Sequence, residues 1–172
     1  MTTDGGHDPA NYDGFTQFYL EILARFRDVA VDNHTDTGNL SMLNDHVRGV
    51  TDPETLLAQY ELPVVMSYPV ATEPDKATVA ADRGQVGMQV VAWTANYEQV
   101  TALEDAIIIA GNVVNNVEDD RELVNGTGRA AATDIDVREF QPDFTLQTGN
   151  TNAFLKFTQV TFDVQYKRRQ PR

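Results

Sequence analysis

No cysteine occurs anywhere in the chain. That excludes disulfide staples, zinc–thiolate sites and a thiol nucleophile. Lysine is nearly absent as well: Lys76, Lys156 and Lys167 are the only three among 172 residues. Long apolar runs are missing. The strongest, Ala106–Ala110, falls far short of the ~20 residues that a membrane span requires. Met1 to Ala10 is polar and acidic and has no apolar signal-peptide core, so the expectation is a protein that works, or is assembled, inside a cell. Positive charge is scarce, with 13 Lys plus Arg against 26 Asp plus Glu. A net charge of −13 excludes a general nucleic-acid binder, which needs a basic footprint.

What the chain has in excess is aspartate, 17 against 9 glutamates. In low salt such a surface repels itself and opposes compaction. In molar salt the Debye length falls to about 3 Å and the repulsion is nearly abolished. Lysine's long stem covers apolar surface, which promotes association in strong salt. Asp-rich and Lys-poor together therefore read as a salt-adapted, halophilic protein. With 41% hydrophobic and 9% aromatic residues the composition is globular. A chain of this length makes one domain and buries roughly 70% of its unfolded surface.

Periodicity then orders the elements. Phe15, Phe18, Tyr19, Ile22, Leu23, Phe26, Val29 and Ala30 recur at three- and four-residue steps, which predicts an amphipathic helix over Gly14–Asp32 capped by Asp13. Leu40 to Val50 has no decisive pattern. Thr51-Asp52-Pro53-Glu54 is a helix start, and that short helix ends near Tyr60. Leu62–Val70 reads as an edge strand with Pro63 and Pro69 at its ends. Val86–Thr94 is a second strand, paired antiparallel to the first through the polar connection Ala71–Gln85. Asn96 is placed to cap a second long helix, Tyr97–Val117, whose stripe includes Val100, Leu103, Ala106, Ile107, Ala110, Val113, Val114 and Val117. A polar stretch, Glu118–Ala132, precedes a strand at Asp134–Phe140. In the final strand Leu155 and Phe157 share one face, and Val160, Phe162, Val164 and Tyr166 share the other parity, which predicts a β-bulge at Thr158-Gln159. The fold class is α+β: a mainly antiparallel sheet with two long helices packed on one face. The expected organisation is a flexible segment at 1–13, a single domain at 14–167 and a basic tail at 168–172.

The chain offers no catalytic, cofactor or metal constellation that its sequence makes legible. Gly126-Thr127-Gly128-Arg129 resembles a dinucleotide fingerprint, but that motif needs a strand before it and a helix after it, and here a polar stretch precedes and a strand follows. His7, His34 and His46 stand too far apart for a helical metal pair; His34 with Asp36 reads as solvated loop. Glu118-Asp119-Asp120 and Asp134/Asp136 lack the spacing of a calcium loop. No serine has a Gly-flanked elbow. One asymmetry stands out. Lys167, Arg168, Arg169 and Arg172 place four of the 13 basic residues in the last six positions. They are the candidate partner-binding residues, a short arm for acidic protein neighbours.

The order of these elements resembles the tail terminator, or tail-completion, proteins of long-tailed phages. The pattern that carries the resemblance is a long first helix (Phe15–Val31), a hairpin (Leu62–Thr94), a strand running directly into a second long helix (Val86–Val117) and a long last strand (Leu155–Lys167). The loops Asn33–Val50 and Glu118–Ala132 depart from that family's compact plan. The resemblance implies a non-enzymatic virion protein that forms a ring, usually a hexamer. Its partners would be the tail-tube protein and the head connector or adaptor proteins, with DNA only in transit through the pore and no membrane contact. With the salt-adapted surface, it implies a haloarchaeal tailed virus. The alternatives from the residues are a halophilic small ligand-binding domain or enzyme, or another head–tail joining protein.

Overall fold

The computed structural model describes residues 7–49, 51–71, 83–124, 128–143 and 153–167. They form an α+β fold with three α-helices, α1 (Gly14–Ala30), α2 (Pro53–Gln59) and α3 (Gln99–Asp119). The five strands are β1 (Asp45–Arg48), β2 (Val64–Val70), β3 (Arg83–Asn96), β4 (Asp134–Pro142) and β5 (Phe154–Lys167). One sheet holds all five in the order β1-β2-β3-β5-β4.

The sheet is mixed, which corrects the mainly antiparallel expectation. β1 pairs parallel with β2, from Asp45 opposite Val64 to Arg48 opposite Ser67, while every other pairing is antiparallel. A parallel neighbour requires a crossover connection, and α2 supplies it. Three of β1's four residues are polar, so no alternation of period two marks it in the sequence. β2 is accordingly an interior strand and not the expected edge. Pro69 is tolerated because β1 ends before reaching it; Gly49 N–H donates to the Ser67 carbonyl at 2.9 Å and closes that side.

β3 and β5 form the spine. Each has 14 residues, and they pair without interruption from Arg83 opposite Lys167 to Asn96 opposite Phe154. The bulge expected at Thr158-Gln159 is therefore not there; the register shift lies in β4, between Val137 and Glu139. The apolar stripe of β5 changes parity for another reason: both faces of the sheet are covered. Val160, Phe162, Val164 and Tyr166 join Val86, Met88, Val90 and Ala92 under α1 and α3. Leu155 and Phe157 join Val64, Met66, Val91 and Trp93 on the opposite face, where α2 packs through Leu56.

The helix ends also differ from the sequence reading. Asp13 holds the N-cap position of α1 but makes no capping bond, and α1 stops at Ala30. Residues 32–34 form a 3₁₀ turn instead. Asn96 belongs to β3; its Oδ1 accepts the Glu98 N–H at 3.0 Å, and α3 begins at Gln99. Asp52 does cap α2, accepting the Thr55 N–H at 2.9 Å. Within the main core Ile22, Phe26, Phe162 and Val164 are wholly buried, whereas Phe18, Ile107 and Val114 are half-buried. The outward side of α3 leaves Ile108 exposed, so the Ile107–Ile109 triplet buries only its last member fully. Among the described residues no helix is long and apolar enough to cross a membrane.

Candidate functional site

A cleft of about 900 Å³ opens at the end of the spine where β5 finishes. One wall is the start of α1. Gly14, Gln17, Phe18 and Glu21 fall at three- and four-residue steps and so share one helix face. The other wall is the segment 128–133, with Lys167 at the rim. Backbone bonds hold that segment. Ala131 and Ala132 N–H both donate to the Glu122 carbonyl at 3.0 Å, and Thr133 N–H donates to the Gln165 carbonyl at 2.8 Å. Gly128 turns the chain at a φ of 78°, a left-handed conformation that favours glycine. Phe18 meets Tyr166 edge-on, centroids 5.3 Å apart. Tyr166 in turn lies across Gly84, where any Cβ would strike its ring. Burial raises the Tyr166 phenol pKa, so that ring stays neutral. The cleft thus has a small apolar floor, one carboxylate (Glu21) and the cations Arg129 and Lys167. That chemistry suits a short segment carrying an apolar side chain and an acid.

Of the four candidate basic residues, Lys167 is exposed at this rim, opposite Arg83 in the sheet register. Arg168, Arg169 and Arg172 lie outside the described residues, as do 72–82 of the first polar connection. The second polar stretch falls partly within the described residues. α3 continues to Asp119, Val124 bridges Ala130, and residues 125–127 of the glycine-rich motif lie outside the described residues. A strand, β4, follows the motif, and not a helix. Three of the five acids read against calcium binding are used internally. Asp120 accepts the Val124 N–H at 3.1 Å, Asp134 lies 3.6 Å from Arg121, and Asp136 accepts from Gln165 at 2.9 Å. Among the described residues no three His, Asp or Glu side chains stand together as a metal site.

The sequence reading missed a buried polar chain. His46 Nδ1 lies 2.6 Å from Asp32 Oδ1, and its Nε2 lies 2.7 Å from Ser67 Oγ. With a carboxylate at Nδ1 that nitrogen donates, and in the neutral ring Nε2 accepts the serine hydroxyl. Arg48 stands 4.0 Å from the second Asp32 oxygen. Burial, then the neighbouring Asp32 charge, raises the pKa of Asp28, one turn back on α1. The partners are 14 and 21 residues apart, so no local motif announces them. The order acid–imidazole–hydroxyl is that of a nucleophilic relay. Yet His46 and Ser67 are only 4% and 2% exposed, and none of the three lines the cleft. What the chain does here is fasten β1 and β2 to the end of α1.

At the opposite end of the spine the start of α3 is bare. Tyr97 is 75% exposed and Val100 67%. The acids Glu98 and Glu104 flank them and are exposed too. No protein-family model matches the chain, and no curated protein sequence matches it significantly.

Proposed function

We propose that this chain is a structural protein of a tailed virion, a ring-forming tail terminator that joins the tail tube to the head connector. The observation that supports it is the placement of two unlike surfaces at opposite ends of the same long strands. The apolar, acidic start of α3 lies where β3 ends, and the cleft with its cations lies where β5 ends. A molecule that is sticky at one end and receptive at the other assembles head to tail, and such contacts close into rings where the rotation between copies divides a full turn. In this reading the working body is the mainly antiparallel part of the sheet with the two long helices, α1 and α3, on one face; β1 and α2 are additions to it. The strand-into-helix step from Asn96 to Gln99 and the long last strand fit the plan of the family. The net charge of −13 suits a pore through which DNA slides without sticking, and suits salt adaptation equally.

Size-exclusion chromatography with light scattering in molar KCl tests the reading. A closed oligomer of about six copies, ring-shaped under the electron microscope, is the expected result. A monomer at every concentration would overturn it. A second reading has the cleft's volume in its favour, since small-molecule sites commonly enclose about 300–1,000 Å³. In that case the chain is a halophilic ligand-binding domain or enzyme. A monomer carrying a stoichiometric small molecule in native mass spectrometry would select it. A ring that binds capsid connector but not tail tube would select another head–tail joining role.

A further inference from the structure

We infer that Tyr97, Glu98 and Val100 of one copy seat in the cleft of the next. The inference rests on the ring reading and names the two surfaces that close it. Three observations carry it. The first is exposure. Tyr97 and Val100 are the two most exposed large apolar side chains among the described residues, at 75% and 67%; the next, Ile108, is 54% exposed. An exposed aromatic of this kind is a typical interface anchor. The second is complementarity. The cleft, about 900 Å³, has room for three side chains and presents Phe18 for the ring and valine, with Lys167 at the rim for the Glu98 carboxylate. Among the described residues, no exposed cation lies near the start of α3; Lys156, the basic residue of that end, is 1% exposed. Two copies facing each other through α3 would therefore set Glu98 and Glu104 against their own images, whereas α3 against the cleft lets Glu98 meet Lys167 at the rim, away from Glu21 on the α1 wall.

The third observation is distance. Asn96 ends β3 and Arg83 begins it, and Arg83 is paired with Lys167 at the cleft rim. A strand rising roughly 3.3 Å per residue separates the two surfaces by about 45 Å over these 14 residues. No chain can fill its own cleft with its own Tyr97, so the contact is between copies. Because the two surfaces differ, it is a heterologous contact, which adds copies in one rotational sense until the ring closes.

The absence of cysteine allows a direct test on the full-length protein in molar KCl. The double variant Tyr97→Cys/Gln17→Cys, oxidised mildly, is expected to give a covalent ladder up to the full ring on denaturing gels, while Gln17→Cys alone gives none. Dimers from Tyr97→Cys alone would show a symmetric pairing and overturn the inference. A charge-reversal series supplies the second arm. Glu98→Lys and Lys167→Glu are each expected to raise the concentration at which the ring dissociates by at least about tenfold, and the pair in one chain to restore it. Both side chains are exposed, so the thermal melt of the monomer stays unchanged. If wild-type rings form and neither series alters them, the α3–cleft contact is refuted and the ring reading stands. If the wild type never forms a ring, the ring reading falls and takes this contact with it.

Discussion

His46 holds Asp32 at 2.6 Å through one ring nitrogen, and in doing so ties the first strand to the turn that ends the first helix. Neither residue lines the cleft, and both sit where chain segments distant in sequence converge. Removing the ring leaves the buried Ser67 hydroxyl and one Asp32 oxygen without this partner. His46→Ala is therefore expected to cost roughly 1–3 kcal/mol in urea unfolding. An unchanged midpoint would show that water replaces the imidazole at no cost.

Phe26 on α1 meets Phe162 on β5 with centroids 5.2 Å apart and planes at 63°. Both are fully buried. Truncating either to alanine is expected to cost roughly 3–5 kcal/mol. The double variant should cost less than the sum, by about 0.5–1.5 kcal/mol, because the edge-to-face contact is counted twice in the singles. Strict additivity would mean that the two rings act only through the volume they fill.

Lys156 is 1% exposed, on the α3 side of β5 opposite Thr94, and its amine has no hydrogen-bond partner among the described residues. Burying such a group costs free energy that nothing visible offsets. Lys156→Met keeps the stem and removes the amine. It is expected to raise the melting temperature, by on the order of 1–3 kcal/mol of stability. A lower melting temperature would show that the amine stabilises the fold.

Two aspartates respond to pH in opposite senses. Burial raises the Asp28 pKa above the ordinary 3.8. Its contribution is most favourable below 3.8 and is lost as pH rises through the raised value, so Asp28→Asn should stabilise at neutral pH and show no gain under strong acid. The Thr55 N–H, then the Thr55 hydroxyl, lowers the Asp52 pKa below 3.8. That contribution is present above 3.8 and is lost as pH falls through the lowered value. Asp52→Ala should therefore lower the melting temperature at pH 7, and the gap should close on acidification. Parallel melts across pH 2–7 with a constant gap would contradict both signs.

Salt is the remaining lever. With 26 acids against 13 bases, the melting temperature is expected to climb steeply between low and molar KCl. A flat response would remove the argument for salt adaptation.

Much of this fold was legible because burial imposes periodicity. The α1 stripe from Phe18 to Ala30 and the centres of the paired strands, read at Leu62–Val70 and Val86–Thr94, are visible as spacing alone, while the ends of β3 at Arg83 and Asn96 are not. What escaped was set by tertiary context. β1 reads as Asp-His-Val-Arg, and only the crossover through α2 makes it a strand. The parity change in β5 looks like a bulge until both faces are known to be covered, because one extra residue and a change of covering layer leave the same trace. The candidate site was legible only at Lys167. Phe18 read as core helix, and nothing local brings 128–133 beside it.

The uninterrupted pairing of β3 with β5 has a mechanical consequence. Asn96 and Lys167 are C-terminal ends of antiparallel neighbours, so they point in opposite directions along one ladder. Neighbours gripping a copy at those two ends would pull the strands past each other rather than peel them apart. Every rung between Arg83 and Asn96 then carries the load at once, as in a lap joint, whereas peeling would break the rungs singly. A copy strained this way should yield at its contacts with neighbours before its own sheet gives.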